Sequence, residues 1–119
     1  MFEWVYNADL SRPAQVRPAK GPFFQNDEGA NRIRFVPYRD GSQVTLTGTV
    51  EGYAMLSDGT TVTVSGASTS DGVYVDLTAA CYLVTGEITV TVKIDDMTVG
   101  AIRGEVRKTQ TETIIQGGS

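Results

Sequence analysis

The stretch GEITVTVKI, Gly86–Ile94, carries the clearest structural signal in the chain. Isoleucine and valine alternate along it with threonine, glutamate and lysine. Because successive side chains of a β-strand point to opposite faces of the sheet, this alternation predicts a strand with one buried face and one wet face. We expect the buried face to consist of Ile88, Val90, Val92 and Ile94.

Similar short segments run through most of the chain and are separated by turn signals. Asp-Gly pairs, which favour tight turns, begin at Asp40, Asp58 and Asp71. The pattern indicates about seven or eight short strands, with turn spacings typical of an antiparallel sandwich or barrel. No segment has a sustained helical period. The predicted fold is therefore all-β: a single antiparallel β-sandwich, immunoglobulin-like or jelly-roll-like, with an extended N-terminal arm.

The N-terminal segment, residues 1–21, differs from the rest of the chain. It contains the only tryptophan and two of the four prolines, and proline favours extended backbone. Its three basic and two acidic residues give a charge of +1, whereas the other seven basic and twelve acidic residues give −5. These differences predict a docking arm over residues 1–21, a β-sandwich domain over 22–116 and a flexible C-terminal tail over 117–119.

Large apolar side chains are concentrated in the first six residues and are costly to leave in water. The arm is therefore predicted to dock on a neighbouring subunit, where aromatic anchors often dominate binding. Its basic side chains would pair with acidic groups of that neighbour. On this interpretation the domain folds without the arm. The predicted partner-binding residues are Phe2, Trp4, Val5, Tyr6, Arg12, Arg17 and Lys20.

Cys81 is the only cysteine and raises the question of a nucleophile or a metal ligand. A reactive thiolate needs a nearby basic group to lower its pKa, and the surrounding sequence LTAACYLV has none. Free cysteine is among the most buried residue types. We expect Cys81 to be a packed residue at the link between two strands.

The residue types present argue against catalysis. Histidine is absent, which excludes Ser-His-Asp and Cys-His arrangements and removes the commonest zinc ligand. Most carboxylates fall at predicted turns, and the acidic clusters at 26–31 and 95–98 lack the spacing of an EF-hand loop. We predict no catalytic site, no metal and no cofactor. Sugar binding stays open, although the strand tyrosines are spread singly: Tyr38, Tyr53, Tyr74 and Tyr82.

The charge balance and the absence of targeting signals limit which classes of partner the protein can bind and in which cellular compartment it folds. A net charge of −4 and a pI near 4.6 argue against sequence-independent nucleic-acid binding and against binding to an anionic membrane surface. No signal peptide or membrane-spanning run is readable. A single cysteine cannot form an internal disulfide. We expect a protein that is made and folded in a reducing cytoplasm.

The order of the motifs resembles a family of phage virion proteins. The motifs are FFQND, NRIRFVPYRDGSQVTLTGTVEGY, SDGTTVTVSG, GVYVDLTAACYLVTGEITVTVKI and VGAIRGEVRKT. Over residues 8–116 they resemble the N-terminal domain of phage upper-baseplate proteins and related head- or tail-fibre anchor domains. The DLTAACYLVTG corner and the SDGTTVTVSG hairpin carry most of the resemblance.

That resemblance implies a β-sandwich that attaches to a virion platform, often with threefold assembly. Longer relatives continue into a coiled-coil stalk, whereas this chain ends in TETIIQGGS without heptads. This difference makes capsid decoration a serious alternative to a role in the baseplate or a fibre.

The resulting hypothesis is a non-enzymatic virion structural protein, assembled in the host bacterial cytoplasm. It would dock on other virion proteins (baseplate, tail or major capsid protein) and self-associate, with a trimer favoured. One alternative is a capsid decoration or head-fibre protein on the phage head. A second, from a different class, is a small carbohydrate-binding or adhesin module.

The alternation around Val90 predicts opposite results for neighbouring substitutions. Val90→Asp should unfold the domain, because it places an unpaired charge on the buried face. Thr91→Asp should be nearly neutral if the opposite face is wet. Circular dichroism during heating measures both. Equal damage from the two changes would show that the strand is covered on both faces.

Overall fold

The structure is a computed structural model that describes residues 2–25 and 31–108. Within these residues the chain forms a ten-stranded sheet and one short 3-10 helix. The all-β prediction is confirmed; the strands beyond the expected number are two or three residues long. The strands are β1 (Phe2–Asp9), β2 (Val16–Pro18), β3 (Phe23–Phe24), β4 (Asn31–Arg39), β5 (Ser42–Gln43), β6 (Val50–Met55), β7 (Thr61–Thr69), β8 (Gly72–Leu77), β9 (Gly86–Ile94) and β10 (Met97–Arg107), with the 3-10 helix Ala79–Tyr82 between β8 and β9.

The sheet is mixed rather than purely antiparallel. Its order is β1-β4-β8-β7-β6-β9-β10-β2, with β5 paired to β4 and β3 paired to β10. Strand β1 is parallel to β4, and both β2 and β3 are parallel to β10. The prediction of an antiparallel sandwich is wrong in this respect, because alternation along a strand identifies its buried face but not the direction of its partner.

Strand β7 bends and joins the two halves of the sheet. Its residues 61–65 pair with β6, whereas residues 66–69 pair with β8. At the bend, a Cβ atom on Gly66 would lie 1.7 Å from the backbone oxygen of Tyr74. Only glycine allows this close approach, which lets β7 bend and pair with both β6 and β8. The two halves of the sheet therefore form one curled layer instead of the two separate layers of a sandwich.

The core lies between the two halves. On β9 the predicted face is confirmed, since its four apolar side chains are at most 4% exposed. The opposite half contributes buried side chains from β4 and β8. A Cβ on Gly100 of β10 would lie 2.6 Å from the ring of Phe35 on β4, so the two halves are in direct contact. The facing sets are Ile88, Val90, Val92 and Ile94 on β9, and Ile33, Phe35, Val73 and Val75 on β4 and β8.

The N-terminal residues belong to the domain itself. Strand β1 pairs with β4 along its whole length, and the side chains of Trp4, Tyr6 and Ala8 are buried in the core. The predicted boundary at residue 21 is therefore wrong, and a chain without β1 would expose the core rather than fold normally. Residues 26–30 and 109–119, which include the predicted tail at 117–119, lie outside the described residues.

A buried polar bridge holds β1 in register. The indole Nε1 of Trp4 donates a hydrogen bond to Oδ1 of Asn31 at 3.0 Å. The Nδ2 of Asn31 donates to the hydroxyl of Tyr82 at 2.9 Å. Asn31 is only 3% exposed, so these partners replace water. The bridge connects β1, β4 and the 3-10 helix.

Removing this bridge should destabilise the fold. Asn31→Leu leaves the buried Trp4 N–H without its acceptor, and we expect a loss of about 2 kcal/mol in the free energy of unfolding, measured with urea. Trp4→Phe removes the donor and keeps a ring. In that background Asn31→Leu should cost less, because the two residues share one interaction. Strictly additive losses would contradict the bridge.

Candidate partner-binding seam

The strands β1 and β2 end the sheet path and have no backbone ladder between them, yet side-chain hydrogen bonds connect β1 to residues 17 and 20. We call this gap, between β1 and residues 15–22, the seam. Across it, Arg17 Nη1 donates to the backbone oxygen of Asn7 at 2.8 Å, and Lys20 Nζ donates to that of Val5 at 2.7 Å. The order of these contacts shows that the chain returns antiparallel beside β1. Side chains, rather than paired backbones, close the seam.

The side chain of Tyr6 reaches across the seam from β1 toward residues 15–22. Its hydroxyl accepts the backbone N–H of Lys20 at 3.0 Å, and Lys20 Nζ lies 5.1 Å from the centroid of its ring. Burial raises the pKa of the Tyr6 phenol, while the N–H of Lys20 and the charge of Arg17 partly oppose that rise. Long side chains from both walls therefore set the width of the seam.

A cavity of about 350 Å³ opens at the C-terminal end of β1. Arg12 and Arg17 line it together with the aromatic side chains of Phe35 and Tyr38 and with Val99. Asp9 lines the same cavity, so this end of the seam combines two cations and one carboxylate with apolar surface.

A second cavity, of about 640 Å³, lies at the N-terminal end of β1. Its apolar lining comes from Phe2, Trp4, Pro22 and Phe24, and its charged lining residues are Lys20 and Glu3. Phe2 is 67% exposed, and its ring centroid lies 5.4 Å from that of Trp4. This cavity offers the kind of apolar surface that accepts a partner's side chain.

The cations of the seam lack strong carboxylate partners. Arg17 and Lys20 donate to neutral carbonyl oxygens, and neither forms an ion pair within the part of the chain that the structure describes. Arg12 meets Asp9 at 3.5 Å, but both side chains are exposed, and such pairs are weak. The seam therefore has unused capacity to bind negative charge.

Charges on the outer face of β1, β4 and β8 are paired within the sheet. Arg34 bonds Glu3 through two nitrogens, each at 3.1 Å, and Arg32 bonds Asp76 at 2.7 and 3.1 Å. The hydrogen bond from Arg34 lowers the pKa of Glu3. The guanidinium of Arg32 also lies 3.8 Å from the centroid of Tyr74. This network stabilises the outer face of the sheet, and one of its nitrogens, Nη1 of Arg34, is buried without a hydrogen-bond partner among the described residues.

Most of the predicted partner-binding residues lie at the surface around the seam, whereas the others are buried in the core. Trp4 and Tyr6 pack in the chain's own core, because β1 is a strand of the sheet; their predicted role as anchors for a neighbouring subunit is corrected. For the remaining residues, partner binding stays a prediction. These exposed residues are Phe2, Val5, Arg12, Arg17 and Lys20.

Sequence reasoning missed the backbone oxygens of Val5 and Asn7. Backbone groups have no residue signature, so only the placement of β1 at the end of the sheet path reveals them. One signal was available: FEWVYNAD, Phe2–Asp9, alternates as regularly as β9 does. Identifying that strand would have placed Trp4 and Tyr6 inside the domain.

Cys81 lies in the 3-10 helix and is fully buried, as predicted. Its Sγ lies 3.9 Å from Oγ1 of Thr78. Burial raises the pKa of the thiol, which disfavours the reactive thiolate. The position is that of a packed corner residue.

The described residues contain no cluster of three or more His, Cys, Asp or Glu side chains arranged to hold a metal ion. Most of the acidic cluster at 26–31 lies outside the described residues. Asp58 accepts the backbone N–H of Thr60 at 2.9 Å, and this bond lowers its pKa, as expected for a turn aspartate. No helix of the described part is both long enough and apolar enough to cross a membrane.

Comparison with known proteins supports the fold. No protein family model matches the chain, and no curated protein matches it. Eight chains of solved structures do match. One is the N-terminal domain of phage TP901-1 ORF48, with 11% sequence identity and a TM-score of 0.62; the match covers 91% of this chain and 100% of that one. At this identity the likeness shows a shared fold.

The burial of Cys81 predicts slow thiol chemistry. The native protein should react with a thiol-specific reagent at least about a hundredfold more slowly than the urea-unfolded protein, because a buried thiol with a raised pKa must first be exposed. Absorbance of the released chromophore follows the reaction. Rapid labelling of native protein, with its circular dichroism spectrum unchanged, would place Cys81 at the surface.

Proposed function

We propose that the chain is a non-enzymatic structural protein of a phage virion, which docks on other virion proteins and self-associates. The observation that carries this proposal is the fold likeness to the N-terminal domain of phage TP901-1 ORF48, which spans all of that domain and 91% of this chain. Because the likeness is one of fold, the docking role is argued from the chemistry of the seam.

The seam combines three features that recognise protein chains. It presents the outer backbone edge of β1, the cations Arg12, Arg17 and Lys20, and an apolar cavity beside the exposed ring of Phe2. A sheet edge supplies main-chain hydrogen bonds, charges steer the partner, and a pocket for a side chain adds specificity. These groups can recognise a partner, but they are not groups that make or break covalent bonds.

Titration at the seam also favours recognition over catalysis. A general acid or base works best with a pKa near the operating pH. Burial moves the pKa of the Tyr6 phenol upward, away from neutrality. Lys20 and Arg17 donate to carbonyl oxygens, and neither pairs with a carboxylate among the described residues. This arrangement suits a stable contact.

Particle labelling tests the proposed function. An antibody raised against the purified chain should label gradient-purified particles of the source phage at one repeated position, seen by electron microscopy with gold. Labels on the tail or baseplate support the favoured location, and labels on the head support the decoration alternative. Particles of a phage that lacks the gene serve as the control.

Absence of the chain from purified particles, by labelling and by mass spectrometry, would overturn the virion assignment. Self-association is tested separately by sedimentation equilibrium of the purified chain. A trimer is expected, and a monomer at all concentrations would remove self-association from the proposal.

A further inference from the structure

We propose that the seam takes up an extended acidic segment of the partner protein as an additional strand beside β1. The inference rests on the proposed function for the kind of partner, a virion protein, but it is tested on the isolated chain. The segment is defined by its chemistry: carboxylate side chains two residues apart on its outer face, small side chains on its inner face, and an apolar residue at one end.

The width of the seam fits one strand. A lysine at full reach spans about 6 Å from Cα to Nζ, so the bond from Lys20 to the backbone of Val5 allows at most about 9 Å between the two backbones. Tyr6 needs a similar reach to meet the backbone nitrogen of Lys20. Neighbouring strands lie about 4.8 Å apart, so a gap of this width accepts one strand between its walls.

The edge of β1 is oriented for pairing. The backbone oxygens of Val5 and Asn7 face the seam, since they accept hydrogen bonds from across it. The N–H and C=O of a strand residue point to the same side, so the N–H groups of these two residues face the seam as well. An incoming strand would therefore meet donors and acceptors at the regular spacing of a ladder.

The other wall of the seam is a poorer partner. The backbone N–H of Ala19 bonds Arg103 of β10, so by alternation the backbone of Pro18 faces the seam. Proline has no N–H to donate, and it occurs in sheets mainly at edges for that reason. The added strand would therefore pair with β1.

Acidic side chains make the exchange of hydrogen bonds favourable. When an incoming N–H takes the oxygen of Val5 or Asn7, Lys20 or Arg17 loses its acceptor. A carboxylate on the incoming strand replaces that neutral acceptor with a charged one, and charge-assisted bonds are stronger. Val5 and Asn7 are two residues apart, which matches the spacing of side chains on one face of a strand. An uncharged segment would leave both exposed cations with water as their only partner.

The residues at the ends and on the inner side of the seam determine which other side chains the incoming segment can carry. The side chain of Tyr6 spans the inner side of the gap, since its hydroxyl accepts the backbone N–H of Lys20, so inward-facing positions must be small. At the N-terminal end, the cavity lined by Phe2, Pro22 and Phe24 accepts one apolar side chain. Together these features define an alternating acidic segment with an apolar end.

The test uses the full chain and an acetylated, amidated peptide of sequence LTDTDTDT. Fluorescence of the single tryptophan, Trp4, which lines the apolar cavity, reports binding. Hydrogen exchange measured by NMR reports pairing, and the amides of Val5 and Asn7 should become protected when the peptide binds. The matched peptide LTNTNTNT should bind at least about tenfold more weakly, because it cannot pair with the released cations.

Matched lysine variants locate the site. Lys20→Gln should weaken binding of the acidic peptide about fivefold or more, whereas Lys93→Gln, on β9, removes the same charge away from the seam and should change it less than about twofold. Circular dichroism checks that both variants are folded, and the comparison of the two peptides needs no variant. Equal effects of the two substitutions would overturn the location.

Two further results would overturn the proposal. One is no binding of the acidic peptide, and the other is binding without protection of the Val5 and Asn7 amides, which would show charge attraction without an added strand. Neither result bears on whether the chain is present in virions. A chain absent from particles would in turn remove the proposed function without changing the result with the peptide.

Discussion

The parallel pairing of β1 with β4 is the constraint on which the rest of the structure depends. It is fixed by the buried bridge from Trp4 through Asn31 to Tyr82, which connects the start of the chain to the corner between β8 and β9. The amide, indole and hydroxyl groups of the bridge are buried, so each needs a hydrogen-bond partner within the protein. Only one register of β1 against β4 supplies all of these partners. That register puts alternate side chains of β1 in the core and turns its outer backbone edge toward β2, so the seam is a direct result of the bridge.

An exposed strand edge invites uncontrolled pairing with other chains, and proteins often protect such edges with lysine. Lys20 and Arg17 cover the edge of β1 by binding its backbone oxygens. The same two side chains would select a partner, since only a segment that offers them carboxylates compensates for their displacement. Protection in the free protein and specificity in the complex would then come from one pair of residues.

Local features of this fold could be predicted from the sequence, and non-local ones could not. The core face of β9 follows from alternation, and the burial of Cys81 follows from the preference of free cysteine for the interior; both signals lie within a few residues. Strand β1 was missed because prolines and positive charge around it outweighed the alternation of its eight residues. The seam depends on which strands end the sheet path, and no local pattern encodes that.

The pairing of β2 with β10 has a consequence for how the chain reaches its native state. Val16 is opposite Ala101, so an early strand must wait until nearly all of the described chain has been synthesised. Contacts between residues so far apart in sequence slow folding, because a long loop must close before they are gained. Because β10 holds residues 16–18 in place, the two walls of the seam can reach their final positions only after β10 has joined the sheet.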